Sequence, residues 1–306
     1  MRVAAVDLGT NSTRLLVADV DGGRVEEVAR LSQITRLGEG VDERRKLLPL
    51  PVARVRNVLS DYRRELERLG AERVLTIGTS AVRDAENGEA FLGEVEWSYG
   101  FATRLVTGDE EAGLTVRGVA TGRPLDEGTL VLDVGGGSTE LITTSERTSI
   151  DVGSVRLTER HLRSDPPAPG ALAAAASEVR DLLPRLEPTT AVGVAGTITT
   201  LAALELGGYD SDRVHSFHLS RAAVEQQLER LASLPLAERR KLPGLEPERA
   251  PVIVGGALIV SAVLDRYGLQ GLEVSERDLL HGAALEAAQL PEPVEGDAPP
   301  GAYTCC

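Results

Sequence analysis

Cysteine is all but missing from this chain. Its two cysteines, Cys305 and Cys306, stand side by side at the end, which excludes a disulfide framework. A terminal pair can signal prenylation in eukaryotes, but nothing else supports a lipid anchor, and the pair reads as part of an untended tail. Long apolar runs are missing too. The longest, Val252 to Leu264, falls short of the roughly 18 residues that cross a bilayer and reads as a buried helix. The chain enters Val3-Ala4-Ala5-Val6-Asp7 with no basic segment leading an apolar one, so no secretory signal is expected. The expected location is cytoplasmic, with no membrane partner. Histidine is scarce, and His215 and His218 have no cysteine partner, which argues against zinc. Basic charge is outweighed to a net −14. That argues against nucleic acid as a partner, because counterion release needs a basic face. A phosphorylated ligand stays open, since backbone amides and a metal ion hold an anion without net positive charge.

What is present is a repeated pattern. "VAAVDLGTNSTRLLVADV" opens the chain and "LVLDVGGGSTELI" restates it. Each has an apolar run, then Asp-x-Gly, small residues and hydroxyls, and a second apolar run. Asp133 follows Asp7 by 126 residues, a domain length rather than a solenoid period. Residues 3–8 and 14–20 read as strands, with Asp21-Gly22-Gly23 a hairpin signal into a third. Positions 52–69 keep a helical period closed by Gly70. Residues 74–77 read as a strand, followed by a helical segment through Arg83. Strands at 129–134, 139–144 and 191–195 and a strand-turn at 150–153 follow. Helices are expected over 171–187, after Gly196, over 252–266 and in "SERDLLHGAALEAA". The order implies an α/β fold in two copies: domain 1–121 with the first loop, domain 122–290 with the second, and a disordered Pro- and acid-rich tail over 291–306.

A strand ending in Asp and a tight glycine turn is chemically useful. Glycines reach positive φ and let backbone N–H groups approach a phosphate. An Asp at the strand end holds Mg²⁺, or a metal-bound water that bridges to phosphate. The alternative for each turn is a plain hairpin with a solvated aspartate. Between the turns, Asp109, Glu110 and Glu111 open a helix. They serve either as caps or as a cluster of carboxylates whose mutual repulsion makes a base. Arg83 either clamps a phosphate or pairs with Asp84 or Glu86. Gly196 and Thr197 at a helix start offer another anion contact. Arg239-Arg240-Lys241 reads as a solvated helix end.

These pieces together resemble the exopolyphosphatase / guanosine-pentaphosphate phosphohydrolase (Ppx/GppA) family. The resemblance rests on "DLGTNSTRLLVADV", "GTSAVRDAEN", "TGDEEA", "VLDVGGGSTEL", "GSVRLTER", "GVAGTITTLAAL" and "SERDLLHGAAL", in that order. It implies the duplicated ribonuclease H-like fold of actin, Hsp70 and sugar kinases, with an interdomain cleft. It implies Glu111 as general base, and Asp133 and Glu140 as acidic positions for metal and water, with Asp7 a further metal candidate. It implies phosphate contacts from Asn11, Ser12, Arg83, Gly135, Gly136, Gly137, Ser138 and Thr139. Thr10 stands where the family usually has Ser. The implied cofactor is Mg²⁺, with Mn²⁺ a substitute. The implied partner is inorganic polyphosphate or guanosine pentaphosphate, with a homodimer left open. An actin-fold kinase and a non-catalytic polyphosphate or nucleotide sensor are the rivals.

Overall fold

The computed structural model describes residues 1–291; the expected tail over 291–306 lies outside the described residues except for Pro291. Two compact units form, each around its own mixed sheet. Among the described residues one comprises Met1–Arg123 and Leu279–Pro291, the other Pro124–Asp278.

The first sheet holds β1 (Arg2–Leu8), β2 (Ser12–Asp21), β3 (Arg24–Ile34), β4 (Arg73–Gly78) and β5 (Ala102–Leu105) in the order β3-β2-β1-β4-β5. The first three strands run antiparallel, whereas β1, β4 and β5 are parallel. Gly22 and Gly23 take left-handed φ values of 53° and 83°, as the hairpin signal requires. The helix Pro49–Leu69 starts with proline in its first turn and stops at Gly70 in left-handed conformation. It lays Val52, Val55, Leu59, Tyr62 and Leu66 on the sheet.

The second sheet repeats the plan. Its strands β6 (Thr129–Val134), β7 (Thr139–Ile142), β8 (Arg147–Ile150), β9 (Thr190–Val194), β10 (His218–Ser220) and β11 (Gly271–Val274) lie in the order β10-β11-β9-β6-β7-β8. Here β8-β7-β6-β9-β11 matches β3-β2-β1-β4-β5 in order and direction, with β10 added antiparallel at the edge. The fold is therefore the expected α/β duplication of a ribonuclease H-like unit. Among the described residues no helix is long and apolar enough to cross a membrane.

Several sequence expectations need correction. The helix assigned to the second domain belongs to the first unit, so a linear split with 122–290 as one domain fails. The helix Leu279–Ala287 buries Leu279, Leu280, Ala283, Ala284 and Ala287 in the same cluster as Val3, Ala5, Leu16, Ile77 and Leu114. Arg104 Nη1 binds its Glu286 Oε2 at 2.5 Å, and Arg117 binds the same carboxylate. That helix begins at Leu279 rather than Ser275, because the Ser275 hydroxyl turns the chain onto Arg277. The helix expected to reach 187 covers Pro169–Leu182, since Pro184 forces the preceding residue out of helical conformation. Arg239 is buried rather than solvated, with Nη2 2.7 Å from Asp165 Oδ1.

Candidate active site

In the first unit the turn after β1 is closed by Gly9 N–H donating to Ser12 O at 3.0 Å. The Thr10 carbonyl accepts from Gly38 N–H at 2.8 Å, and the Asn11 carbonyl accepts from Thr35 and Arg36 N–H at 3.0 and 2.8 Å. A trans peptide points its N–H opposite to its carbonyl, so holding Thr10 O aims Asn11 N–H away from the segment at Gly38. The N–H groups of Thr10 and Asn11 donate to no described residue. The buried Asn11 side chain also keeps its Nδ2 without an acceptor among the described residues. Ser12 begins β2, half-buried. Asp7 faces Arg14 across the β1–β2 ladder, and Arg14 Nε and Nη2 both bind Asp7 Oδ2, at 2.9 and 2.8 Å.

The helix Gly108–Ala120 separates its three opening acids. Thr107 caps it, accepting from Glu110 N–H, while the Glu110 carboxylate accepts from Thr107 N–H at 2.7 Å. That capping box holds the Glu110 carboxyl below its usual range, mainly through the Thr107 backbone N–H. Asp109 is exposed, whereas Glu111 turns inward and is only 8% exposed. Arg83, in the short helix Ser80–Asp84 after β4, donates from Nη1 to Val106 O at 2.9 Å and to Glu111 Oε2 at 3.0 Å. Arg83 thus pairs with Glu111, neither with Asp84 nor with Glu86. The acids do not act as a cluster: Glu110 is a cap, and an arginine orients Glu111.

In the second unit Gly135 N–H donates to Ser138 O at 3.1 Å, matching the Gly9–Ser12 bond. Ser154 N–H donates to Gly135 O, and Val155 and Arg156 N–H both donate to Gly136 O, at 2.8 to 3.1 Å. These bonds hold two successive carbonyls, so the N–H groups of Gly136 and Gly137 both point away from the helix Ser154–His161. Neither N–H finds an acceptor among the described residues. The glycines with left-handed φ lie elsewhere in the chain. Close approach, rather than positive φ, is therefore what glycine supplies at both turns: a Cβ on Gly9 would sit 2.9 Å from Ser12 O, and on Gly135 3.2 Å from Ser138 O. Ser138 is buried in the turn. The Thr139 hydroxyl donates its proton to Val152 O at 2.6 Å.

Asp133 and Glu140 stand directly opposite on β6 and β7, so their side chains share one face of the ladder. They are 6% and 1% exposed, and Ser149 Oγ donates to Glu140 Oε1 at 2.7 Å. Glu140 follows Arg14 by the same interval that separates Asp133 from Asp7. The duplication has kept the aspartate and exchanged its partner: a guanidinium in the first unit, a second carboxylate in the second. Two hard oxygen donors suit Mg²⁺, which takes only one or two protein carboxylates and completes its shell with water and phosphate oxygens. Among the described residues no group of three or more His, Cys, Asp or Glu is arranged to hold a metal. Asp133 and Glu140 fit such an ion; Asp7, the further candidate, meets Arg14 through its Oδ2.

Gly196 and Thr197 lie in the first turn of the helix Ala195–Leu206, entered through Ala195 at φ 69°. A Cβ on Gly196 would sit 2.8 Å from Arg249 Cζ, and Thr197 is buried against Gly256. Sequence reading missed Arg14, Gly38, Gly153 and Arg249. The first was within reach by aligning the repeats, whereas Gly38 and Gly153 meet the turns, and Arg249 meets Gly196, only through tertiary structure.

Two ribonuclease H-like units, each turning from its first strand through an Asp-x-Gly loop, define a protein of the actin / Hsp70 / sugar-kinase fold class. The sequence over residues 16–290 matches the Ppx/GppA phosphatase family. The chain belongs to that family, whose class is hydrolases acting on phosphorus-containing acid anhydrides. It is 40% identical to exopolyphosphatase 2 of Mycobacterium tuberculosis, over 94% of this chain and 98% of that one. It is 29% identical to the guanosine-5'-triphosphate,3'-diphosphate pyrophosphatase of Photobacterium profundum, over 92% of this chain but 58% of that one. The solved Ppx/GppA enzyme of Aquifex aeolicus superposes with a TM-score of 0.79 at 32% identity, covering 94% of this chain and 99% of its own.

Proposed function

We propose that the protein removes terminal phosphate from inorganic polyphosphate in a Mg²⁺-dependent hydrolysis. The observation that carries this reading is the second turn: two N–H groups aimed the same way beside an opposed pair of buried carboxylates. The amides of Gly136 and Gly137 take a terminal phosphoryl oxygen, with Ser138 beside them. Asp133 and Glu140 would hold the Mg²⁺, and Mn²⁺ suits the same donors. The ion, when bound, neutralises charge on the phosphoryl oxygens. Asn11 supplies its backbone and side-chain N–H to phosphate, with Ser12 next to it. Glu111, oriented by Arg83, accepts the proton of the attacking water; the water oxygen bonds phosphorus, the bridging P–O bond breaks, and orthophosphate leaves.

Polyphosphate is preferred over guanosine pentaphosphate because the relative named for the former matches along nearly its whole length. The test is orthophosphate release from long polyphosphate, with and without Mg²⁺, alongside guanosine pentaphosphate and ATP. Mg²⁺-dependent release from polyphosphate supports the reading. Faster release from guanosine pentaphosphate reassigns the substrate. Phosphate appearing only on an added alcohol makes the protein a kinase, and binding without release makes it a sensor.

A further inference from the structure

Each turn is held by a second segment that arrives just after the third strand of its sheet, and in both units a glycine makes the contact. In the first, Gly38 follows the end of β3 and donates its N–H to Thr10 O at 2.8 Å. A Cβ at Gly38 would overlap Thr10 Cγ2 and lie 3.2 Å from the Cβ atoms of Thr10 and Ala81. In the second, Gly153 follows the end of β8. A Cβ there would overlap the carbonyl carbon of Gly136 and lie 2.5 Å from Gly136 O and Gly137 N. Its backbone, at φ −139° and ψ 173°, is extended and open to any residue. Size alone explains glycine at that position.

We infer that Gly38 and Gly153 are a duplicated pair of positioning residues for phosphate. Each lets its segment lie flat on a turn, hold the turn's carbonyls and thereby aim the opposite N–H groups: Asn11 in the first unit, Gly136 and Gly137 in the second. The inference rests on the reading that these amides hold phosphate. The two contacts differ in kind. Gly38 meets a side-chain methyl, so removing that methyl relieves a larger residue at 38. Gly153 meets backbone, which no trimming of side chains relieves.

The experiment uses the full chain as wild type, Gly38→Ala, Thr10→Ser, the Gly38→Ala/Thr10→Ser double variant and Gly153→Ala. Gly93→Ala, whose added methyl meets nothing within 4 Å, is the control. Orthophosphate affinity is measured by calorimetry, polyphosphate KM and kcat by orthophosphate release, and folding by thermal melting. Gly38→Ala and Gly153→Ala should each weaken orthophosphate binding roughly ten- to hundredfold and raise KM more than they lower kcat, the usual size of an overpacking strain. The double variant should return to within about threefold of wild type. Thr10→Ser introduced into Gly153→Ala should restore nothing. Should Gly153→Ala fail to fold, the Gly38–Thr10 cycle still decides. Wild-type orthophosphate affinity in folded Gly38→Ala and Gly153→Ala, or a Thr10→Ser change that leaves Gly38→Ala impaired, overturns the inference. A wild type that neither binds nor releases orthophosphate instead overturns the phosphohydrolase reading beneath it.

Discussion

Gly282 lies where the helix Leu279–Ala287 crosses the helix that carries Glu111. A Cβ on it would overlap the Leu114 carbonyl oxygen and stand 2.7 Å from the Leu114 carbonyl carbon. Both atoms are main chain, so no rotamer change makes room. Gly282→Ala gains about 1 kcal/mol of helix propensity but forces the two helices apart, at the upper end of overpacking costs, about 3 kcal/mol. The net loss of about 2 kcal/mol corresponds to a fall of roughly 4–8 °C in melting temperature. Gly93→Ala, in the helix Gly88–Tyr99 with open space around it, keeps the propensity gain and should melt roughly 2–4 °C higher. Circular dichroism melts of the three proteins make the test. A Gly282→Ala protein that melts within a degree of wild type would refute the close crossing, and with it the assignment of the last helix to the first unit.

Three further expectations are quickly checked. Asp133→Asn should weaken Mg²⁺ binding at least about tenfold by calorimetry, as loss of one of two carboxylates implies; unchanged affinity would remove Asp133 from the metal site. Thr107→Ala removes the cap of the helix bearing Glu111 and should cost about 1 kcal/mol, measured by urea denaturation. Burial opposes ionisation of Glu178, but the bonds from His161 and Arg160 win and hold its carboxyl below the usual value of 4.5. A depressed carboxylate contributes stability above its unfolded pKa and loses it as pH falls. Melting temperature should therefore drop below about pH 4.5 less steeply in Glu178→Gln than in wild type, and parallel pH profiles would contradict this.

The duplication was legible because each copy begins with an uninterrupted signal: an apolar strand, Asp-x-Gly and a second strand, 126 residues apart. The helix Pro49–Leu69 was legible for the same reason, its period and Gly70 stop being local. The strands β5 and β11 were not, being four residues each with no clean alternation. Nor was the return of the last helix to the first unit, since its apolar face is the same whichever sheet receives it. At the site, the strand-end carboxylates were found by position, but their partners were not. Arg14 on Asp7 and Ser149 on Glu140 are cross-strand neighbours fixed by register, and Arg83 meets Glu111 only once β4 and the helix Gly108–Ala120 are in place. Of the two reasons for glycine in the turns, positive φ does not apply, whereas close backbone approach does. The left-handed glycines lie elsewhere, among them Gly22 and Gly23 in the hairpin and Gly70, Gly100 and Gly207 at helix ends.

In the proposed hydrolysis Glu111 takes the proton from the attacking water. Orthophosphate release from saturating long polyphosphate, wild type against Glu111→Gln, tests it most directly, with polyphosphate binding measured in parallel. Glutamine keeps the size of the side chain and its contact with Arg83 through an amide oxygen, but it accepts no proton. Turnover should fall by about 10² to 10⁴ while polyphosphate binds as well or tighter, one negative charge fewer opposing it. Release at the wild-type rate by the Gln variant would remove Glu111 from the role of base.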